Sequence, residues 1–183
     1  MNAVIQSQNA NELSIAEFIE WENQQDTRHE WLNGEIIAMT GGTVAHAGLI
    51  VALAARLFNH LHGTPCRVFT SDLKVQAAQN IFYPDVVVSC EPQENDGMLC
   101  CNPKLIIEVL SSSTSRKDRH QKRLAYQEIA SLEEYVLVSQ EAKHIDVYRR
   151  SNDWQPATYI GGVVELHSVN LTLALDELYA DMD

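Results

Sequence analysis

The chain is short of positive charge. Its 183 residues carry 13 Lys and Arg against 25 Asp and Glu, a formal net charge of −12. Proteins that coat nucleic acid depend on Lys and Arg against phosphate, so that class is excluded. A nuclease is not, because a carboxylate site repels phosphate only until a divalent cation fills it. Cysteine is also scarce, at four residues. Cys66, Cys90, Cys100 and Cys101 include no C-x-x-C pair, and the adjacent Cys100 and Cys101 are poorly placed to ligate one zinc ion. Reduced thiols are expected, with Cys90 packed at the end of an apolar strand. No uninterrupted apolar run reaches the roughly 18 residues of a membrane span. Residues 1–10 lack the basic region and apolar core of a secretory signal, so a cytoplasmic location without membrane contact is expected. Helix-turn-helix and zinc-finger patterns are missing too.

What remains is an ordinary globular composition, 45% hydrophobic and 21% charged, long enough for one domain with a sizeable core. Residues 1–12 read as a disordered N-terminus and 13–183 as a single α/β domain. Ser14 and Glu17 form a capping-box pattern ahead of a helix over 15–24, whose Ile15, Phe18, Ile19 and Glu22 recur at helical spacing. Asn33-Gly34 between two extended runs, 28–32 and 35–39, is a hairpin signal, since both positions of a type I′ turn need positive φ. Thr43 caps a helix to about His62 that is apolar nearly all round, which predicts a buried helix. Strands are expected over 66–70, 73–77, 83–90, 104–110, 134–138 and 144–149. A final strand pair is expected over 154–161 and 163–167. Ser111 to Ser115 is a run of capping residues before a helix over 116–130, and Leu173 to Tyr179 reads as a short helix.

The chemistry concentrates between Tyr83 and Tyr126. Two apolar strands each carry one acid, Asp85 in Tyr83-Pro84-Asp85-Val86-Val87-Val88 and Glu108 in Ile106-Ile107-Glu108-Val109-Leu110-Ser111. An acid in such a strand is costly unless it is paired or binds a cation. If the strands are neighbours, the two acids come within roughly 5 Å across the ladder. Two carboxylates that close do not both ionise without a cation, and oxygen-only ligands suit Mg²⁺ or Mn²⁺ better than zinc. On the following helix Asp118, Lys122 and Tyr126 recur at i, i+4 and i+8, so they line one face. The dense basic run Arg116, Lys117, Arg119, Lys122 and Arg123 is either a solvated helix face or a local phosphate patch. Glu30 and Glu35 lie on the hairpin, as exposed edge acids or as further site acids. His46 shares a stripe with Ile50, Leu53 and Leu57, where a core histidine and a site histidine look alike. Asp72 shares a strand face with Lys74.

The ordered combination of these segments with Asp118-Arg119-His120-Gln121-Lys122 and Glu133-Glu134-Tyr135-Val136-Leu137-Val138 resembles the Uma2 family. This is the DUF820 group of restriction-endonuclease-like proteins in the PD-(D/E)xK superfamily. The resemblance covers about residues 14–150. It implies an α+β fold, a mixed central sheet flanked by helices, with an N-terminal helix and hairpin. It also implies Asp85 and Glu108 as Mg²⁺ (or Mn²⁺) ligands and DNA as a transiently bound substrate, cut by metal-activated water. The superfamily lysine two residues after the second acid is absent, and Leu110 stands there. The resemblance implies that Lys122 substitutes, with His46, Glu30, Glu35, Asp72, Asp118 and Tyr126 as supporting candidates. A homodimer is an expectation, since two sites cut two strands. The alternative is a non-catalytic relative that keeps the fold as a binding or interaction module.

Overall fold

The apolar runs segregate into two sheets. The computed structural model describes residues 13–92, 99–110 and 118–180, and of 118 and 119 the backbone alone. One sheet has six strands in the order β11-β10-β9-β8-β6-β3. These are β3 (Arg67–Thr70), β6 (Val86–Ser89), β8 (Leu105–Leu110), β9 (Glu134–Ser139), β10 (Ile145–Arg149) and β11 (Pro156–Tyr159). Only β8 and β9 pair in parallel, so the sheet is mixed, as expected. Every residue of β8 is buried, which is why its sequence is apolar on both faces.

The second sheet has the order β2-β1-β5-β4-β7. It contains β1 (His29–Leu32), β2 (Glu35–Ala38), β4 (Lys74–Ala77), β5 (Asn80–Phe82) and β7 (Leu99–Cys100). Asn33 and Gly34 join β1 to β2 with φ of 51° and 84°, the left-handed pair the hairpin signal requires. Helix α1 (Ile15–Glu22) starts on the Ser14–Glu17 capping box. Phe18 from α1 packs with Trp31 and Ile81.

Helix α2 (Val44–Leu61) begins at Thr43, whose side chain accepts from the His46 N–H. It lies against the six-stranded sheet through Leu49, Leu53, Leu57 and Leu61, in one core with Val86, Val88, Leu105, Ile107 and Val109. The other face of that sheet, through Val87, Ile106 and Leu110, packs against Phe82, Tyr126 and Leu132. A five-residue π-helical turn (Asp118–Lys122) runs into α3 (Arg123–Gln127).

Four expectations are corrected. Helix α2 is not buried all round; its second face is open, because only an i, i+4 leucine stripe meets the sheet. By length and composition it is also apolar enough to cross a membrane, because its few polar residues are dispersed. The two late strands do not pair with each other. β11 completes the large sheet, and β12 (Val163–Leu166) pairs with β13 (Leu171–Ala174), leaving only Leu175–Leu178 as helix α4. Finally, Cys66 and Cys90 are not free thiols. They flank the β3–β6 ladder beyond the Arg67–Ser89 pair and form a disulfide. A spacing of 24 residues gives no local signal for such a bond. The segments expected as a disordered terminus (1–12), most of a polar loop (93–98) and the capping run (111–115) lie outside the described residues.

Candidate active site

The β6–β8 register pairs Val86 with Ile107, and one further step sets Asp85 opposite Glu108. Asp85 stands just before β6, where the side chain is 14% exposed. Its Oδ2 accepts the Val109 N–H at 2.7 Å and lies 3.3 Å from His46 Nε2. Gly42 makes room for that imidazole, since a Cβ there would come within 2.6 Å of His46 Nδ1. Glu108, 3% exposed, points to the opposite side of β8 from Ile107, toward the helix that follows.

Lys122 closes the π-helical turn and is 6% exposed. Its Nζ lies 3.3 Å from Glu108 Oε1 and 2.8 Å from Glu30 Oε1. One turn on, the Tyr126 hydroxyl donates to Glu108 Oε1 at 3.1 Å. Lys122 and Tyr126 are four residues apart, so one helix face brings both to the same carboxylate. Glu30, on β1, is buried and also accepts the Tyr83 N–H at 3.3 Å. Two sheets and a helix therefore meet at one point. There Asp85, Glu108 and Glu30 face one lysine and one histidine among the described residues.

Of the predicted residues, Asp85, Glu108, Lys122, Tyr126, His46 and Glu30 are drawn together. Glu35 is not, being exposed on the edge strand β2. Asp72 is not either; it is exposed and pairs with Arg28. The Asp118 side chain lies outside the described residues. Leu110, where the superfamily lysine would stand, is core.

A flanking group escaped the sequence reading. Glu22 is buried, accepts the His29 N–H at 2.8 Å and the Tyr83 hydroxyl at 3.0 Å, and sits 3.1 Å from His29 Nδ1. Lys74, also buried, donates to Asn23 Oδ1 at 3.1 Å and lies over the Tyr83 ring. Burial pushes the Lys74 amine below its ordinary value, with Glu22 opposing, and burial together with Glu22 pushes the Tyr83 phenol up. Tyr83 joins this group to the site, since its backbone meets Glu30. The available signal was an acid at an apolar helical spacing, Glu22 after Phe18 and Ile19.

The comparisons bear on the family and the fold. The Uma2 family model, described as a putative restriction endonuclease, matches residues 15–182. The chain belongs to the Uma2 family. An uncharacterized protein of Synechocystis is 38% identical over 173 residues, covering 91% of each chain. A second from the same strain is 34% identical over 148 residues, covering 78% of this chain and 84% of its own. A crystal structure of a putative nuclease belonging to DUF820, from Anabaena variabilis, superposes with a TM-score of 0.80 at 17% identity, covering 93% and 99% of the two chains. The fold is thus that of a DUF820 protein, and the family is one of putative nucleases.

The donor set bears on a metal. Both contacts of the Asp85 carboxylate fall on Oδ2, leaving Oδ1 without a hydrogen bond among the described residues. Among them no group of three or more His, Cys, Asp or Glu is placed to hold an ion. Two opposed carboxylates with oxygen donors alone fit Mg²⁺ or Mn²⁺, which keep several waters and need only one or two protein carboxylates.

Proposed function

We propose that this Uma2 protein is an Mg²⁺- or Mn²⁺-dependent endonuclease that hydrolyses DNA phosphodiester bonds. The observation that carries the reading is the juxtaposition of Asp85, Glu108 and the Lys122 amine, 3.3 Å from Glu108. Asp85 and Glu108 would hold the cation, which supplies an activated water and offsets charge on a phosphoryl oxygen. The Val109 N–H and His46 hold the Asp85 carboxylate in place. The Tyr126 hydroxyl does the same for Glu108, so both acids are positioned in advance. Lys122, anchored by Glu30, orients the attacking water beside Glu108 and balances charge on the pentacovalent phosphate. The acidic chain makes DNA a transient partner, consistent with turnover rather than storage. The protein would work in the cytoplasm, where that substrate is found.

One observation favours a binding module instead: Lys122 is closer to Glu30 than to Glu108 and is largely shut from solvent. A cleavage assay decides. Mixed single- and double-stranded DNA is incubated with Mg²⁺ or Mn²⁺ and wild-type, Asp85→Ala or Lys122→Ala protein. Wild-type cleavage lost in both variants is expected. No cleavage with either ion, alongside retained DNA binding, would select the module.

A further inference from the structure

The open face of α2 is uncharged from end to end. Val44, Val51 and Phe58 are 92%, 68% and 62% exposed. They stand seven residues apart, so they fall on one line along the helix. Between them lie exposed Ala47, Gly48 and Ala55 and half-buried Ala54. A helix face turned to water normally carries charge. This one carries none from Val44 to Phe58, about 21 Å of helix.

The order of residue sizes along the stripe is symmetric. Reading outward from Val51, each direction meets two small residues and then a large one: Gly48, Ala47 and Val44 one way, Ala54, Ala55 and Phe58 the other. Self-complementarity about a point is the requirement of a twofold interface, in which one patch meets its own copy. In an antiparallel pair, Val51 would meet Val51 on the axis, the Ala and Gly positions would face each other, and Val44 would meet Phe58. Small residues at the intermediate layers let two backbones approach closely. A groove of about 470 Å³ beside Phe58, lined also by Leu61, Val68 and Phe69, has room for the partner's helix start. Charge points the same way. Two chains of net charge −12 repel, and a neutral stripe on a helix without a single Asp or Glu is where they approach at least cost.

We infer that α2 is the seam of a homodimer, packed antiparallel on α2 of a second copy about a twofold axis at Val51. The seam stands independently of the nuclease reading. If that reading holds, α2 also ties the two sites together, because His46 lies in its first turns; the two copies of His46 would sit about 15 Å apart along the helix direction. A patch of one helix is small for an interface, so the dimer is reversible rather than obligate.

Sedimentation equilibrium of the full chain tests it. From low to high micromolar concentration, the mass should move from 20.6 kDa toward twice that. Val51→Glu opposes two carboxylates on the axis and should weaken association at least about tenfold, with unchanged circular dichroism. A Val51→Cys variant, made with Cys101→Ser, should cross-link to itself on mild oxidation. Val44→Cys in the same background should not, because its copies lie about 21 Å apart. A wild type that stays monomeric, a Val51→Glu protein that associates as before, or equal cross-linking at 44 and 51 would each overturn the arrangement. So would a monomer that instead binds vesicles of neutral phosphatidylcholine through this face.

Discussion

Two buried carboxylate clusters in this molecule look alike by burial and differ in every other respect. Glu134, 1% exposed, accepts from Arg149 Nε at 2.8 Å, the His167 N–H at 3.1 Å, the Ser168 N–H at 2.8 Å and the Ser168 hydroxyl at 2.5 Å. Both its oxygens are satisfied, and two of its donors are backbone groups fixed by the chain. It pins the 3₁₀ turn at His167–Val169 to the large sheet. At the other cluster one ammonium is shared by Glu108 and Glu30, while Asp85 stands opposite Glu108 with one oxygen uncommitted among the described residues. A buried ion cluster that is balanced is a structural device. In the second cluster three carboxylates face one lysine and one histidine among the described residues, an acid-rich balance that the proposed cation would offset.

The comparison breaks most visibly through Asp85 and Lys122. In the cleavage assay each alanine substitution should lower the rate at least about 10²-fold, as loss of a preorganised electrostatic group does. Comparable rates in wild type and Lys122→Ala would remove the distinction between the clusters. Glu134→Ala should do the opposite. It leaves half-buried Arg149 and the buried Ser168 donors without their carboxylate and should cost about 3–5 kcal/mol in urea unfolding, while the folded fraction cleaves as before. A Glu134→Ala protein that folds normally but loses cleavage would place the working site elsewhere.

Thermal unfolding with metal sharpens the contrast next. Millimolar Mg²⁺ or Mn²⁺ should raise the Tm of wild type by mass action and leave Asp85→Ala unmoved. An equal shift in both would mean that the ion binds outside the cluster. The Cys66–Cys90 bond lies outside both clusters and links residues 24 positions apart. Its reduction should cost about 2–4 kcal/mol of stability without changing metal affinity, as chemical unfolding with and without dithiothreitol would reveal. The smallest effect concerns the remaining thiols. Burial pushes the Cys100 thiol up to about 11, so it stays protonated at pH 8, whereas Cys101 is exposed. Native protein at pH 8 should take up one alkylating group, located by peptide mass at Cys101. Labelling at Cys100 would mean that the β4–β7 edge opens.

Much of the site was legible because its signals are local. A carboxylate in an apolar strand is expensive wherever the strand ends up, so Asp85 and Glu108 stood out before any pairing was known. The four-residue spacing of Lys122 and Tyr126 follows from helix geometry alone. Glu30 and His46 were visible only as candidates, because an edge acid and a site acid, or a core histidine and a site histidine, share one pattern. Glu35 and Asp72 show the reverse, having the same residue types and solvent for surroundings. Which face of α2 is buried is not legible, because an apolar helix has no mark to say which face meets protein. The exposed stripe was therefore visible only after the leucine face had docked.

By itself, then, the sequence determined the periodic elements, the Asn33-Gly34 hairpin, the helix caps, and which strands could not tolerate their acids uncompensated. Those are consequences of backbone sterics and desolvation, which act within a few residues. Tertiary structure alone decided that Glu30 rather than Glu35 reaches Lys122, that Asp85 faces Glu108 with His46 behind it, that Cys66 meets Cys90, and that α2 keeps one face open. Each of those contacts joins residues more than a dozen positions apart. Their meeting depends on how two sheets and a helix pack, and no local rule encodes that.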